Sequence, residues 1–254
     1  MAKYNAVFFD YVDEGALRSA RVLVPILYSH LKPGSVLDVG CGRGGWLRIW
    51  RDAGCPAIQG IDGDYVDRNR LHIGSEEFRP ANLSDGFALG RRFDVVQCLE
   101  VAEHVRRDCA GRLIDSIVAH GDVVLFSAAQ PGQGGTQHIN ERPLEYWRDL
   151  FAVRGYRAYD CIRPLLRSET SVEPWYRYNP VLYANERGQR GLPASFTGTA
   201  VAERAKFENS APLAWRLRCA VFRYMPVPVV DFVASINAWL TRWVRGAQRA
   251  KGNG

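Results

Sequence analysis

Apolar and polar positions alternate along this chain in two rhythms. From Glu14 to Leu31 apolar residues recur at Leu17, Ala20, Val24, Leu27 and Leu31, a stripe at helical spacing, and Lys32-Pro33-Gly34 ends it in a turn. Short apolar runs follow, each stopped by turn residues, at 35–39, 57–61, 78–81, 93–99, 122–127, 156–162 and 181–184. Helical patterns fall between them, from Trp46 to Gly54 and over 107–120 and 142–154. Strands alternating with helices at these lengths predict an α/β fold, a mostly parallel seven-stranded sheet with helices on both faces. Residues 1–185 read as one domain, in which 1–34 form a helical lid and 35–185 the core. The polar, glycine-rich stretch 186–200 reads as a linker, and 201–254 as a basic amphipathic helical tail. There Val229, Val233, Ile236, Leu240 and Trp243 share one helical face near Arg242, Arg245 and Arg249.

Composition narrows the class. The chain has 254 residues, 47% apolar and 24% charged, the mix of a soluble globular protein. Its six cysteines (Cys41, Cys55, Cys98, Cys109, Cys161, Cys219) form no CxxC pair and read as small core hydrophobes in a reducing compartment. The first twelve residues lack a basic segment followed by an apolar run, and no uncharged run reaches the ~18 residues of a membrane span. A cytoplasmic location is expected. The net charge of +6 sits wholly in residues 201–254, with nine basic groups against three acidic. A neutral body argues against a broad nucleic-acid surface, while the tail suits peripheral contact with an anionic inner-membrane face. Packing of the tail on the core or on a second subunit is the alternative, and oligomeric state is left open.

The chemistry starts where the first strand breaks into glycines, Asp38-Val39-Gly40-Cys41-Gly42-Arg43-Gly44-Gly45, followed by Trp46. Glycines let the backbone turn sharply after a strand and approach a ligand closely. Nucleotide-binding dehydrogenases use the same spacing. Two acids favour S-adenosyl-L-methionine instead. Asp38, just before the glycines, would repel a pyrophosphate and suits an ammonium group. Asp62, about twenty residues on and followed by Gly63, is placed to accept ribose hydroxyls.

The segment 36–44 resembles motif I of class I S-adenosylmethionine-dependent methyltransferases, which have a Rossmann-like fold. The resemblance implies that Asp38, Gly40, Cys41, Gly42, Gly44, Gly45 and Trp46 line the cofactor and that Asp62 and Gly63 meet the ribose. Asn82-Leu83 stands where the family usually has Asp-Leu beside the adenine, and Leu99 ends the strand that faces the methyl group. The segment 93–105 resembles the corresponding strand and turn of the small-molecule group.

Glu100, Glu103 and His104 follow that strand, and the glycine-rich loop 129–141 should return His138 over the same crevice. In one reading, His104 or His138 is a general base for an acceptor hydroxyl, since imidazole titrates near working pH. In the other, Glu100, Glu103, His104 and His138 bind a divalent cation such as Mg2+. That set is similar to the Glu-x-x-Glu-His run plus later His of metal-dependent O-methyltransferases of ubiquinone biosynthesis and of small-RNA 2′-O-methyltransferases. A structural reading makes Glu103-His104 a helix cap. The segment 163–178, with Arg163, Arg167, Glu173, Trp175, Tyr176, Arg177 and Tyr178, could stack on a sugar and pair with an anion, or pack the sheet edge. Together these features imply methylation of a hydroxyl on a glycan or small-molecule acceptor. RNA 2′-O-methylation is the rival within the class, and a non-catalytic cofactor-binding subunit the rival outside it.

Overall fold

The structure, a computed structural model, describes residues 6–225. Seven strands form one sheet: β1 (Ser35–Val39), β2 (Ala57–Asp62), β3 (Phe78–Pro80), β4 (Val95–Leu99), β5 (Val123–Ser127), β6 (Arg157–Tyr159) and β7 (Val181–Ala184). Their order is β3-β2-β1-β4-β5-β7-β6, parallel except for β7, which runs antiparallel to both neighbours. β4 and β5 are buried at every position, as strands covered on both faces must be. The chain leaves β1 toward β2 on one side and meets β4 on the other. That reversal opens a crevice at the carboxyl ends of β1 and β4, the usual ligand site of open α/β sheets.

Two cores flank the sheet. On one face lie α1 (Ala6–Leu31), α2 (Gly45–Asp52), α5 (Arg163–Leu166), α6 (Pro174–Tyr178) and α8 (Ala194–Thr197), around Leu23, Leu27, Leu47, Trp50, Leu166 and Phe196. On the other, α3 (Arg107–His120) and α4 (Leu144–Ala152) bury Leu113, Ile117, Trp147 and Phe151, with Phe151 stacked on Tyr183 at 4.1 Å.

The sequence reading differs from this fold in two places. α1 begins at Ala6 rather than at Glu14. The expected linker 186–200 is folded, holding α7 (Glu186–Gln189) and α8, with Phe196 fully buried against α1 through a ring stack on His30 at 4.8 Å. Its glycines serve close packing: a Cβ at Gly188 would lie 2.2 Å from the Asp122 carbonyl. Beyond it, Val201 donates to the Ala158 carbonyl and extends the sheet edge. Of the basic tail, α9 (Leu213–Phe222) is described, whereas Val229, Val233, Ile236, Leu240, Trp243 and the neighbouring arginines lie outside the described residues. No helix among the described residues is long and apolar enough to cross a membrane.

Candidate active site

The glycine turn is tied to β2 from below. The amides of Gly40 and Cys41 both donate to the Ile61 carbonyl, at 2.8 and 3.1 Å. Its glycines then divide into two kinds. A Cβ at Gly40 would strike Val101 at 2.3 Å, one at Gly44 would meet Ile73 at 2.9 Å, and one at Gly45 would meet Leu17 of α1 at 3.2 Å. Those three are small because the protein itself packs there. Gly42, at φ +54°, has nothing within 4 Å of the Cβ position and so borders open crevice.

Two acids frame that opening. Asp62 clamps the turn: one carboxylate oxygen accepts from the Gly42 amide at 2.7 Å, the other from the Gly63 amide at 2.6 Å and the Tyr65 hydroxyl at 2.5 Å. Burial raises its pKa, against the pull of these three donors. Asp38 is 2% exposed, and its Oδ2 has no hydrogen-bond partner. Across the strand pair stands Gln97, whose amide oxygen is taken by Trp50 Nε1 at 3.0 Å. Burial first, with the charge of Asp62 adding to it and Gln97 opposing, pushes the Asp38 carboxyl up to about 7. A buried carboxylate oxygen without a donor, beside an open cradle, is suited to a cationic ligand group. Leu99 ends β4 in the core, and Trp46 packs edge-on against Tyr176 at 5.1 Å. Asn82 is exposed and makes a turn: its carbonyl accepts from the Ser84 amide at 3.2 Å and its amide donates to Asp85 at 2.7 Å, while Leu83 packs inward.

After β4 the chain does not enter a long helix. Glu100 takes a left-handed conformation, φ +56°, and a single 3-10 turn, Ala102–His104, follows. This separates the acids expected to share one side. The Glu100 carboxylate turns toward two buried amides, accepting from Gln133 Nε2 at 2.8 Å and Asn179 Nδ2 at 3.0 Å. Asn179 also donates to Gln133 Oε1 at 2.8 Å and accepts from Gln130 at 3.0 Å, closing a network between the β4, β5 and β7 ends. Asn179, which caps α6 two positions before β7, was missed in the sequence; a polar residue close to a core strand was its signal.

Glu103, His104 and His138 do converge, with ligand-type atoms within 4.8 Å of one another. Glu103 is fully buried and neither carboxyl oxygen has a hydrogen-bond partner. Burial, then the charges of Glu100 and Glu141, push its pKa well above the usual carboxylate range. The His104 and His138 rings meet edge-on at 4.9 Å. Desolvation first and His138 second push the His104 imidazole below its ordinary value. His138 is oriented by Glu141, 2.9 Å from its Nδ1, and Glu141 in turn accepts from the Gly132 and Gly134 amides at 2.7 and 2.8 Å. Glu141 is the second residue that the sequence reading passed over. The donor set fits a divalent cation at three positions, Glu103, His104 and His138, with Glu141 fixing one ring; Glu100, expected as the fourth ligand, is held by amides instead.

Three segments close around this crevice. α1 straps it: Asp13 lies 2.7 Å from His72 Nε2 and 3.7 Å from Arg43 of the glycine turn. Farther along, Arg18 pairs with Glu173, and Ser19 Oγ accepts from the Glu173 amide at 3.0 Å. In the 163–178 segment, Arg163 is buried on Asp160, and Tyr176 and Trp175 pack into the core, whereas Arg167 is exposed and Arg177 lies over the Tyr178 ring at 5.0 Å. α9 caps the β5 loop, where Arg218 donates to the Gln133 carbonyl at 2.8 Å and Trp215 meets Tyr178 at 5.9 Å.

Comparison with known proteins follows from this geometry. The profile of a family described as a methyltransferase domain matches residues 14–160. A ubiquinone biosynthesis O-methyltransferase of Neisseria meningitidis serogroup C (strain 053442) is 29% identical over 159 residues, covering 59% of this chain and 57% of that protein. The chain thus spans less than two thirds of that relative's length. A sugar N-methyltransferase from Streptoalloteichus sp ATCC 53650 superposes with a TM-score of 0.53 at 16% identity, over 66% of this chain and 87% of that one. Magnesium protoporphyrin IX methyltransferase from Synechocystis PCC 6803, with bound SAH, gives 0.50 at 17% identity, over 73% and 90%. At these identities the two structures share the fold with this chain.

Proposed function

Because the chain belongs to the methyltransferase-domain family, we propose that it transfers the methyl group of S-adenosylmethionine to a hydroxyl oxygen of a glycan or small-molecule acceptor. The observation that carries the oxygen assignment is the His104–His138 ring pair, edge-on at 4.9 Å at the β4 end, with Glu141 2.9 Å from His138 Nδ1. A neutral imidazole can take the hydroxyl proton as the oxygen attacks, while a hydroxyl left protonated is a poor nucleophile. The Neisseria relative, an O-methyltransferase, points the same way.

In this reading the glycine turn would hold the cofactor: the Asp38 carboxylate would meet its ammonium, the Asp62 carboxylate its ribose, and the open face of Gly42 would let the backbone approach. Tyr65, which donates to Asp62, would share that oxygen with a bound ribose. The acceptor would enter between Gly42 and the histidine pair, and its hydroxyl proton would pass to His104 or His138. The methyl's sulfonium is already a good leaving group, so holding donor and acceptor in line supplies most of the rate. In the alternative arrangement Glu103, His104 and His138 would hold a divalent cation, which would acidify an acceptor hydroxyl in place of the imidazole base.

Incubating the full chain with methyl-labelled S-adenosylmethionine and RNA, lipid-linked glycan or soluble metabolite fractions, with and without EDTA, tests this. Label in glycan or metabolite is expected, and label confined to RNA would replace the proposal with RNA methylation. Loss of labelling in EDTA, together with an inactive Glu103→Gln variant, would assign the cation. Activity that survives both leaves Glu103 as a neutral core group and the histidines as acid–base residues.

A further inference from the structure

α9 has two faces. The inner one grips the site: a Cβ at Gly132 would lie 2.0 Å from the Cys219 carbonyl, Arg218 holds the Gln133 carbonyl, and Trp215 lies on Tyr178. The outer one is apolar and bare. Leu213, Leu217 and Val221 recur every fourth residue, and Tyr224 continues the row, at 65%, 57%, 55% and 84% exposure. Three large apolar side chains on one helical face, with Tyr224 in the turn just after it, each more than half exposed, are beyond the scattered apolar residues of an ordinary surface. At helical spacing, exposed Arg216 and Arg223 fall together on one flank of that row.

We propose that this outer face of α9 docks the protein on an anionic phospholipid surface. Apolar residues in a row, bordered by arginines, describe a helix that lies in the membrane interface, its apolar side among the acyl chains and its cations at the headgroups. Charge decides between occupants. Residues 201–254 carry the chain's whole net charge of +6, which attracts an anionic bilayer and repels a second copy of the same segment. Because the inner face is seated on the Gly132–Gln133 loop, docking would set the crevice mouth beside the bilayer. This holds whichever acceptor the site takes.

The test is sedimentation of the full chain with vesicles, read beside light scattering. Wild type is expected to pellet with phosphatidylcholine vesicles containing about 30% phosphatidylglycerol, not with phosphatidylcholine alone, and to release in about 0.5 M NaCl. The L213S/L217S/V221S variant changes only exposed positions. It should keep wild-type circular dichroism and S-adenosylmethionine affinity, yet lose vesicle partitioning by about tenfold or more. Wild type that stays in the supernatant overturns the proposal, whether a second segment or nothing covers the face. So does unchanged pelleting of the variant, which would assign binding to the tail's charge alone. A wild-type dimer that the variant converts to monomer would assign the face to a second copy.

Discussion

Asp38 is the residue at which folding and ligand binding pull apart. The carboxyl ionises near 3.8 in the unfolded chain but only near about 7 when buried. Its folded pKa lies above its unfolded one, so the stability it contributes is full below 3.8 and is lost as pH rises toward 7. Asp38→Asn keeps the neutral shape and should stabilise the cofactor-free protein at pH 8 by about 2–4 kcal/mol, a gain that fades near pH 4. The same variant should bind S-adenosylmethionine about tenfold or more weakly. Wild-type affinity, which needs the ionised form, should climb toward pH 7 and flatten above it, whereas the variant's stays level; titration calorimetry across this range decides, and a level wild-type curve would remove Asp38 from the site. Gly42→Val makes a sharper case, because its side chain would enter open crevice and its φ of +54° disfavours a β-branched residue. A folded, melting variant that no longer binds cofactor is expected; normal affinity would move the cradle elsewhere. Asp62 and Gly42 were legible from motif spacing alone. The amide cage of Glu100 was not, since its members, Gln133 and Asn179, lie 33 and 79 positions away and meet only through the left-handed turn at Glu100.

Elements were legible where burial imposes a period. The seven apolar runs became the seven strands, and the 107–120 pattern became α3 with the same bounds. The start of α1 was hidden by Asp10, Asp13 and Glu14, which break the apolar stripe; Asp13 turns out to serve His72 and Arg43 rather than the core. The 186–200 segment was misread because glycine and polar residues also describe a tightly capped turn, here with Asn185 accepting from the Gly188 amide and donating to Asp122. These contacts carry their own predictions. Asp13→Asn should cost little stability, about 1 kcal/mol, yet weaken cofactor binding several-fold by loosening the contact of α1 with His72 and Arg43 beside the turn. Melting and calorimetry on one preparation separate the two, and a variant weakened only in stability would make α1 a plain structural helix. Gly132→Ala should lift α9 from the β5 loop, because φ is +83° there and the Cβ has no room. Faster proteolysis within 201–225, with a loss of about 1–3 kcal/mol, is the expected sign.

At the scale of the molecule, charge and topology were both readable in advance: a neutral α/β body and a cationic extension. Saturating S-adenosylmethionine, at about a hundred times its Kd, should add about 2.7 kcal/mol to stability, and a melting curve of Asp62→Ala should show no such shift. The strap formed by α1 has a further consequence, in the order in which the protein is made. Ser19 meets the Glu173 amide across 154 positions, and His30 waits for Phe196. At roughly 5–20 residues per second, the first helix leaves the ribosome some ~8–30 s before its last partners exist. Until then the α1 face carrying Leu23, Val24 and Leu27 can be covered only in part, by α2. The helix that straps the crevice is thus made well before the residues that secure it, and it locks in place only once residues 173–196 have been added.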